Sequence, residues 1–145
     1  MTAASRAGRK PARRAVASAM KPPPFRAVQL ATLVDAVPSG SRWLHEMKYD
    51  GYRLLVAAGG GEARAYTRSG LDWSEKFDAI VQAAAKLDVG SALLDGDAVV
   101  LDADGRSSFQ ALQGALMGAP ATIDYYAFDL LELNGEDLTG LPLTD

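Results

Sequence analysis

Apolar residues recur along this chain in two patterns, one typical of strands and one typical of helices. Runs rich in β-branched, aromatic and aliphatic residues predict strands over 43–48, 52–58, 62–67, 92–101 and 123–133. Apolar residues at three- and four-residue spacing predict a helix over 74–87, and a shorter helix is predicted over 107–117. Asp72 and Glu75 are placed to form a capping box at the start of the first helix.

Short turns join these predicted elements. Glycines 59–61 are expected to close a hairpin, and Asp50-Gly51, Asp104-Gly105 and Asn134-Gly135 provide further turns. The residues 95–97 are expected to interrupt the strand over 92–101. Because strands outnumber helices and neighbouring strands have short connections, antiparallel pairing is favoured. The pattern predicts an α+β domain with largely antiparallel sheets and flanking helices.

Charge is divided unevenly along the 145 residues. Residues 1–26 carry seven basic side chains and no acid, whereas the remainder carries eight basic side chains against eighteen acids. Residues 1–24 are rich in Ala, Arg and Pro, so they are predicted to be a disordered basic arm, with the folded domain over 25–145. The arm is a candidate for non-specific phosphate binding, for a linker or, in a eukaryotic source, for a transit peptide.

The residue inventory excludes several kinds of site. The sequence has no cysteine, which excludes disulfides, thiolate zinc sites and thiol nucleophiles, and His45 is its single histidine. It contains neither a P-loop nor the glycine spacing of a Rossmann fold. No apolar run in the sequence reaches membrane-spanning length, so a membrane is not an expected partner and the cytoplasm is the default location.

Lys48 is the leading candidate for covalent chemistry. It lies in a Lys-x-Asp-Gly-x-Arg pattern with Asp50 and Arg53, between segments that have the character of buried strands. Partial burial is therefore expected, and desolvation favours the neutral, nucleophilic amine. The acids Glu46 and Asp50 favour the charged form and indicate polar contacts or a metal nearby. The simpler alternative is an edge-strand lysine beside a hairpin turn.

Three further groups of polar or aromatic side chains are candidates for ligand binding. Asp95 and Asp97 fall within an apolar run, so they are expected to meet a ligand hydroxyl, a metal or a cation, unless they are exposed at a bulge or turn. The aromatic residues within the segment 125–129, which ends in Asp129, can stack on and hold a base, although aromatic strands usually belong to a core. Arg68, beside the Gly70 turn, can bind a phosphate.

Four segments, in this order, match successive motifs of the covalent nucleotidyltransferases. They are Lys48-x-Asp50-Gly51-x-Arg53, Thr67-Arg68-Ser69-Gly70, Leu94-Asp95-Gly96-Asp97 and Phe128-Asp129-Leu130-Leu131. The flanking segments 29–33, 43–46 and 108–113 extend the match. From about residue 24 onward the chain resembles the ATP-dependent DNA ligases, in particular the bacterial type associated with end-joining repair. The part that it resembles is the first portion of the nucleotidyltransferase (adenylation) domain.

The resemblance implies a role for each candidate side chain. Lys48 would be the nucleophile that attacks ATP, and Arg68 would contact the phosphate at a DNA nick. Around the nucleotide, Glu46 would lie near the purine, Asp50 and Arg53 would orient the ribose and the lysine, Asp97 would bind ribose or a metal, and Phe128 would stack on adenine.

The same resemblance implies ATP and Mg²⁺ as cofactors and nicked or broken double-stranded DNA as substrate. Candidate partners are end-joining repair proteins, and the implied location is the bacterial cytoplasm in association with the nucleoid.

The chain departs from the family pattern in two ways. Asp97 stands where the family usually has Glu, which shortens the reach of the carboxylate by one methylene. The later motifs, a metal-binding Glu and a pair of lysines, have no counterpart before Asp145, and neither has the oligonucleotide-binding barrel. The chain is therefore expected to be a partial adenylation domain. The alternatives are an RNA ligase or capping-type transferase, or a non-catalytic DNA-binding remnant that uses the basic arm.

Overall fold

One antiparallel sheet organises the described part of the chain, which is residues 20–41 and 43–143 in a computed structural model. Its strands are β1 (Tyr52–Gly59), β2 (Glu62–Thr67), β3 (Ser91–Val99), β4 (Asp124–Leu133) and β5 (Glu136–Asp137), in the order β2-β1-β3-β4-β5. The helices are α1 (Asp78–Ala84) and α2 (Phe109–Leu116). The predicted α+β class and antiparallel pairing are confirmed. Neither helix in these ranges has the length and apolar character needed to cross a membrane.

Alternation along the strands gives the sheet two different faces. Both helices pack against the face that we term the helix-covered face, whose core contains Leu54, Val56, Ala58, Ala65, Phe77, Ile80, Ala84, Ala98, Val100 and Leu112. The opposite face, here the open face, has a smaller buried cluster of Leu55, Ala57, Leu93 and Leu131, with Phe25 and Val28 packed against it. The helix-covered face therefore holds most of the apolar core.

The chain before β1 touches the sheet at several points. The backbone N–H of Met20 donates to the Gly90 carbonyl (3.2 Å), and Arg26 pairs with Asp137 (3.0 Å). Phe25 packs edge-on against Tyr66, with ring centroids 5.9 Å apart. Most of the predicted basic arm, residues 1–19, lies outside the described residues, and its described remainder, 20–24, contacts the domain.

The prediction of a strand over 43–48 is wrong. This segment has no strand hydrogen bonds, and its described side chains are exposed, including Lys48. The physical reason is that β1 already pairs with β2 on one edge and β3 on the other, so the preceding segment has no place beside it. The expected burial of Lys48 in a strand is wrong for the same reason.

The first helix is shorter than predicted and begins without a capping box. Turns occupy 74–77, and α1 follows with no side-chain cap at Phe77. The Asp72 carboxylate instead accepts hydrogen bonds from the backbone N–H (2.9 Å) and the hydroxyl (2.6 Å) of Ser74. A local turn therefore uses the acid that was expected to cap the helix with Glu75.

The irregularity expected within β3 is found in its neighbour. β3 continues through residues 95–97, whereas its register with β4 shifts between Leu93 and Leu94 and again between Asp95 and Gly96. These shifts leave Leu131 and Phe128 of β4 as bulged residues without Cα partners. Bulges re-aim side chains, and one of these two residues belongs to the candidate site.

Candidate functional site

The segments that carry the four sequence motifs meet at one end of the sheet. Strand pairing sets Arg53 of β1 opposite Asp97 of β3, and Asp97 opposite Tyr126 of β4. The end of β2 lies beside the start of β1, with Thr67 opposite Leu54. The antiparallel order therefore gathers side chains that are far apart in sequence.

Arg53 and Asp95 form a partly buried ion pair at this end of the open face. The Arg53 Nε donates to Asp95 Oδ1 (2.9 Å) and Nη2 donates to Oδ2 (2.6 Å). Hydrogen bonding to Asp95 raises the pKa of Arg53 above its ordinary value, although burial opposes this. The expectation that a buried acid at this position meets a cation is confirmed for Asp95, which the family resemblance left without a role of its own.

Phe128 lies over the same guanidinium. The Cζ atom of Arg53 is 5.4 Å from the centroid of the Phe128 ring, within range of a cation–π interaction. The side chain is 37% exposed, so part of the ring surface remains accessible. The bulge in β4 thus presents an aromatic surface that a charged pair supports from within the protein.

Asp97 differs from Asp95 in its surroundings. Burial raises the pKa of Asp97, and the nearby charges of Arg53 and Lys48 act in the opposite direction. No hydrogen bond to its carboxylate occurs within residues 20–41 and 43–143. Of these two aspartates, Asp97 is therefore the one whose oxygens can accept a ligand hydroxyl or join a metal.

Lys48 is exposed and leads directly into a turn that is fixed to the sheet. The ring of Tyr49 packs on Tyr126 with centroids 4.4 Å apart, and the backbone N–H of Asp50 donates to Ser107 Oγ (2.8 Å). Gly51 approaches the Ala98 carbonyl so closely that a Cβ atom would overlap it. The main chain immediately after Lys48 is therefore well defined.

The remaining candidates are less tightly gathered. Arg68 is exposed in the turn that follows β2, where Gly70 N–H bonds to the Thr67 carbonyl (2.9 Å) with a φ of +85°. Glu46 is exposed in the segment before Lys48 and does not join the Arg53 cluster. The side chain of Asp50 is also exposed, and its backbone makes the contact described above.

Residues 24–145 match the family model described as ATP dependent DNA ligase domain. This chain belongs to the ATP-dependent DNA ligase family. Among its relatives is the multifunctional non-homologous end joining protein LigD of Pseudomonas aeruginosa, 43% identical over 138 residues, which are 94% of this chain and 16% of that protein. A probable DNA ligase of Streptomyces coelicolor is 34% identical over 131 residues, covering 84% of this chain and 26% of that protein.

Solved ligase structures share the fold of this family member. The crystal structure of the ligase domain of Mycobacterium tuberculosis LigD matches with a TM-score of 0.59 and 40% identity, covering 68% of this chain and 32% of that chain. A mycobacterial DNA ligase D complexed with ATP and MES matches with a TM-score of 0.59 and 39% identity, over the same shares. The chain thus spans about a third of these ligase structures and a smaller part of the complete relatives.

Sequence reasoning missed two residues that organise this end of the sheet, Ser107 as the acceptor for Asp50 and Tyr126 as the partner of Tyr49, and it did not name Arg53 as the cation that Asp95 meets. The signal for Asp95 was present, because a buried acid requires a counter-charge. Ser107 gave no signal for this contact, because it was predicted to begin the helix over 107–117, whereas the observed helix begins at Phe109 with Ser108 as its cap.

Proposed function

We propose that this ligase-family chain forms the ATP-binding part of an adenylation site and that Lys48 becomes adenylated. The observation that carries the proposal is the meeting of four separate motifs at one end of one sheet. The Lys48 amine, a carboxylate without a hydrogen bond among the described residues, and a partly exposed aromatic ring lie there together. These are the groups required to react with a phosphate, hold a ribose and stack on a base.

The proposed reaction is a nucleotidyl transfer to nitrogen. Once Nζ of Lys48 has given one proton to solvent, it attacks the α-phosphorus of ATP, and the bond from that phosphorus to the bridging oxygen of the β-phosphate breaks. A phosphorus–nitrogen bond forms, pyrophosphate leaves, and the amine loses a second proton to solvent. The product is a lysine–AMP phosphoramide.

The described geometry supports a separate role for each residue around the nucleotide. Phe128 stacks on adenine, and Asp97 contacts the ribose or a metal. Because Asp95 occupies the Nε and Nη2 of Arg53, the arginine acts mainly by supporting the Phe128 ring and by offsetting the charge of Asp97. By family resemblance, Glu46 lies near the purine and Asp50 orients the ribose and the lysine, and both side chains are exposed before nucleotide binds.

Mg²⁺ fits this arrangement as an ion bound largely through the triphosphate. The described residues contain no group of three His, Cys, Asp or Glu side chains that could hold a metal alone. Mg²⁺ commonly binds through substrate phosphates with one or two carboxylates, and Asp97 is the available carboxylate. When bound, the ion would neutralise charge on the phosphates.

In the later steps, the AMP would pass to a 5′-phosphate in DNA, and a 3′-hydroxyl would displace it and seal the strand. Exposed Arg68 is suited to contact the 5′-phosphate at a nick. Nicked or broken double-stranded DNA is therefore the proposed substrate. End-joining proteins are the proposed partners at the bacterial nucleoid, by analogy with the named function of the LigD relatives.

Intact-mass measurement of the chain with Mg²⁺ and either ATP or GTP tests the proposal. We expect the wild type to gain one acid-labile AMP with ATP but no adduct with GTP, and we expect no adduct on Lys48→Ala. Lys76→Ala is the matched control, because Lys76 packs over Trp73 by the helix-covered face. Should the chain alone form no adduct, the rest of a LigD ligase domain is added in trans. An adduct in Lys48→Ala, or no wild-type adduct in either format, would refute the proposal.

A further inference from the structure

The main chain on the two sides of Lys48 is held very differently. Within the described residues 30–41 and 43–47, the only backbone hydrogen bond outside regular elements is from Trp43 N–H to the Gly40 carbonyl (3.3 Å). After it, three successive residues each contact the sheet or the connection that follows β3: Tyr49, Asp50 and Gly51. The position of Lys48 is therefore set almost wholly from its C-terminal side.

We propose that Tyr126 and Ser107 are positioning residues for Lys48, acting through the turn that follows it. This inference rests on the proposed adenylation of Lys48. Tyr126 provides the ring on which Tyr49 packs, and Ser107 provides the oxygen that binds the Asp50 N–H. In the proposed function, neither residue contacts the nucleotide or DNA.

Tyr126 connects the lysine to the strand pair that carries Asp97. Its Cα is paired with that of Asp97 in the sheet, and its ring lies 4.4 Å, centroid to centroid, from the ring of the residue next to Lys48. The side chain is 37% exposed, so burial of Tyr126 in a core does not explain its place. The stack instead fixes the spacing between the amine and the carboxylate.

Ser107 connects the same turn to the chain between β3 and α2. It is itself held by an isolated bridge to Leu101, two residues past the end of β3. The 2.8 Å hydrogen bond from Asp50 N–H orients the peptide group two residues from Lys48. Because the lysine side chain has several rotatable bonds, a fixed main chain reduces the number of arrangements in which Nζ lies in line with the α-phosphorus.

Two pairs of adjacent, chemically identical residues allow a sharp test. Ser107 and Ser108 are neighbours, but Ser108 Oγ caps α2 by accepting from Ala111 N–H (3.2 Å). Tyr126 and Tyr125 are neighbours on opposite faces, and Tyr125 donates to the Leu54 and Leu94 carbonyls. In each pair, one member contacts the Lys48 turn and the other supports only the fold.

We expect Ser107→Ala to lower the rate of Lys48 adenylation at saturating ATP about tenfold, with the ATP concentration at half-maximal rate unchanged. Ser107→Thr should restore the rate. Ser108→Ala should lower the melting temperature more than Ser107→Ala while leaving the rate per folded molecule unchanged. Likewise, Tyr126→Ala should slow the reaction and Tyr126→Phe should not. Equal losses in Ser107→Ala and Ser108→Ala would overturn the proposal.

Amide hydrogen exchange, followed by nuclear magnetic resonance on the full chain without ATP, tests the inference separately from the reaction. We expect exchange of the Asp50 amide to become about tenfold faster in Ser107→Ala and Tyr126→Ala, and to stay at the wild-type rate in Ser108→Ala. Unchanged Asp50 exchange would overturn the positioning role even if Lys48 is adenylated. Absence of any lysine adduct with normal Asp50 protection would instead count against the proposed function alone.

Discussion

The helix-covered face and the open face of the sheet are built from the same strands, yet they hold different kinds of residue. On β1, Leu54 and Val56 are fully buried beneath the helices, whereas Arg53 on the other face pairs with Asp95. A step of one residue along a strand therefore separates apolar packing from charge. The comparison indicates that stability and chemistry are largely assigned to opposite faces, so substitutions can separate them.

Gly96 of β3 lies between Asp95 and Asp97, which project to the open face, and it is close to Tyr125 on the helix-covered face. A Cβ atom there would overlap the Tyr126 carbonyl and would lie 2.7 Å from the Tyr125 ring. The absence of a side chain lets Tyr125 cross β3 on the helix-covered face while Asp95 and Asp97 project to the other. The glycine between the two acids thus has a packing reason that is independent of any ligand.

The largest expected difference between the faces comes from removing a phenylalanine on each. Phe77 is 2% exposed in the core of the helix-covered face, so Phe77→Ala should lower the free energy of unfolding by about 3–5 kcal/mol. Phe128→Ala should lower it by far less, because that ring is 37% exposed, but should weaken ATP binding. Urea denaturation and ATP titration measure the two effects. A Phe128→Ala loss equal to that of Phe77→Ala would show that the open face is as important for stability.

Breaking the Arg53–Asp95 pair should have the next largest effect. Asp95→Asn should lower the free energy of unfolding by about 2 kcal/mol, below the range for fully buried pairs because a quarter of the Arg53 side chain is exposed. It should also weaken ATP binding, since Arg53 supports Phe128.

The exposed Arg64–Asp72 pair (3.0 Å) is the matched control for this change. Disrupting it with Arg64→Gln should change the free energy of unfolding far less than Asp95→Asn does, because solvent screens an exposed pair, and should leave ATP binding unaltered. Urea denaturation of both variants, with ATP titration, makes the comparison. Equal small losses would show that the Asp95 pair behaves as an ordinary surface contact.

A smaller effect is expected at the paired tyrosines. Tyr125 donates to the carbonyls of Leu54 (3.1 Å) and Leu94 (3.2 Å), and burial raises its pKa, so its hydroxyl remains a neutral donor. Tyr125→Phe should therefore lower the free energy of unfolding by about 1 kcal/mol without changing Lys48 adenylation. Tyr126→Phe should change neither quantity. Thermal unfolding separates the two variants, and identical stabilities would contradict a structural role for the Tyr125 hydroxyl.

Much of the fold follows from local sequence. The strands predicted over 52–58 and 62–67 and the hairpin at glycines 59–61 are confirmed, because alternation and glycine turns are encoded within a few residues. The prediction of a strand over 43–48 was wrong because a segment can pair with the next strand only if that strand has an unoccupied edge, and both edges of β1 are occupied. β5 was missed because a two-residue strand leaves almost no pattern.

The candidate site shows the same division between local and non-local information. The ordered motifs predicted that Lys48, Arg53, Asp97 and Phe128 would be neighbours, and the sheet gathers the segments that carry them. Their individual partners depend on register: the bulge that leaves Phe128 unpaired in β4 turns its ring toward Arg53, and no spacing rule predicts a bulge in a partner strand. Their roles toward ATP stay predictions.

The smallest expected effect on stability is at Asp97, and its sign sharpens the contrast between the faces. Burial raises the folded-state pKa of Asp97 above the ordinary value near 3.8. Below that value the carboxyl is protonated in both states and carries no penalty. As the pH rises through the raised pKa, the folded state holds its proton more tightly than the unfolded state, so this group makes stability decline.

Asp97→Asn should therefore remove that decline and make the chain slightly more stable than the wild type at neutral pH. Asp88→Asn, at an exposed position, removes the same charge and should not. Denaturation at a series of pH values, with the difference between each variant and wild type plotted, isolates the contribution of one group. If Asp97→Asn also lowers the rate of Lys48 adenylation, then Asp97 lowers the stability of the fold but supports the reaction. That combination is expected of a side chain whose role is catalysis or binding. A loss of stability at neutral pH would instead mean that Asp97 belongs to the fold.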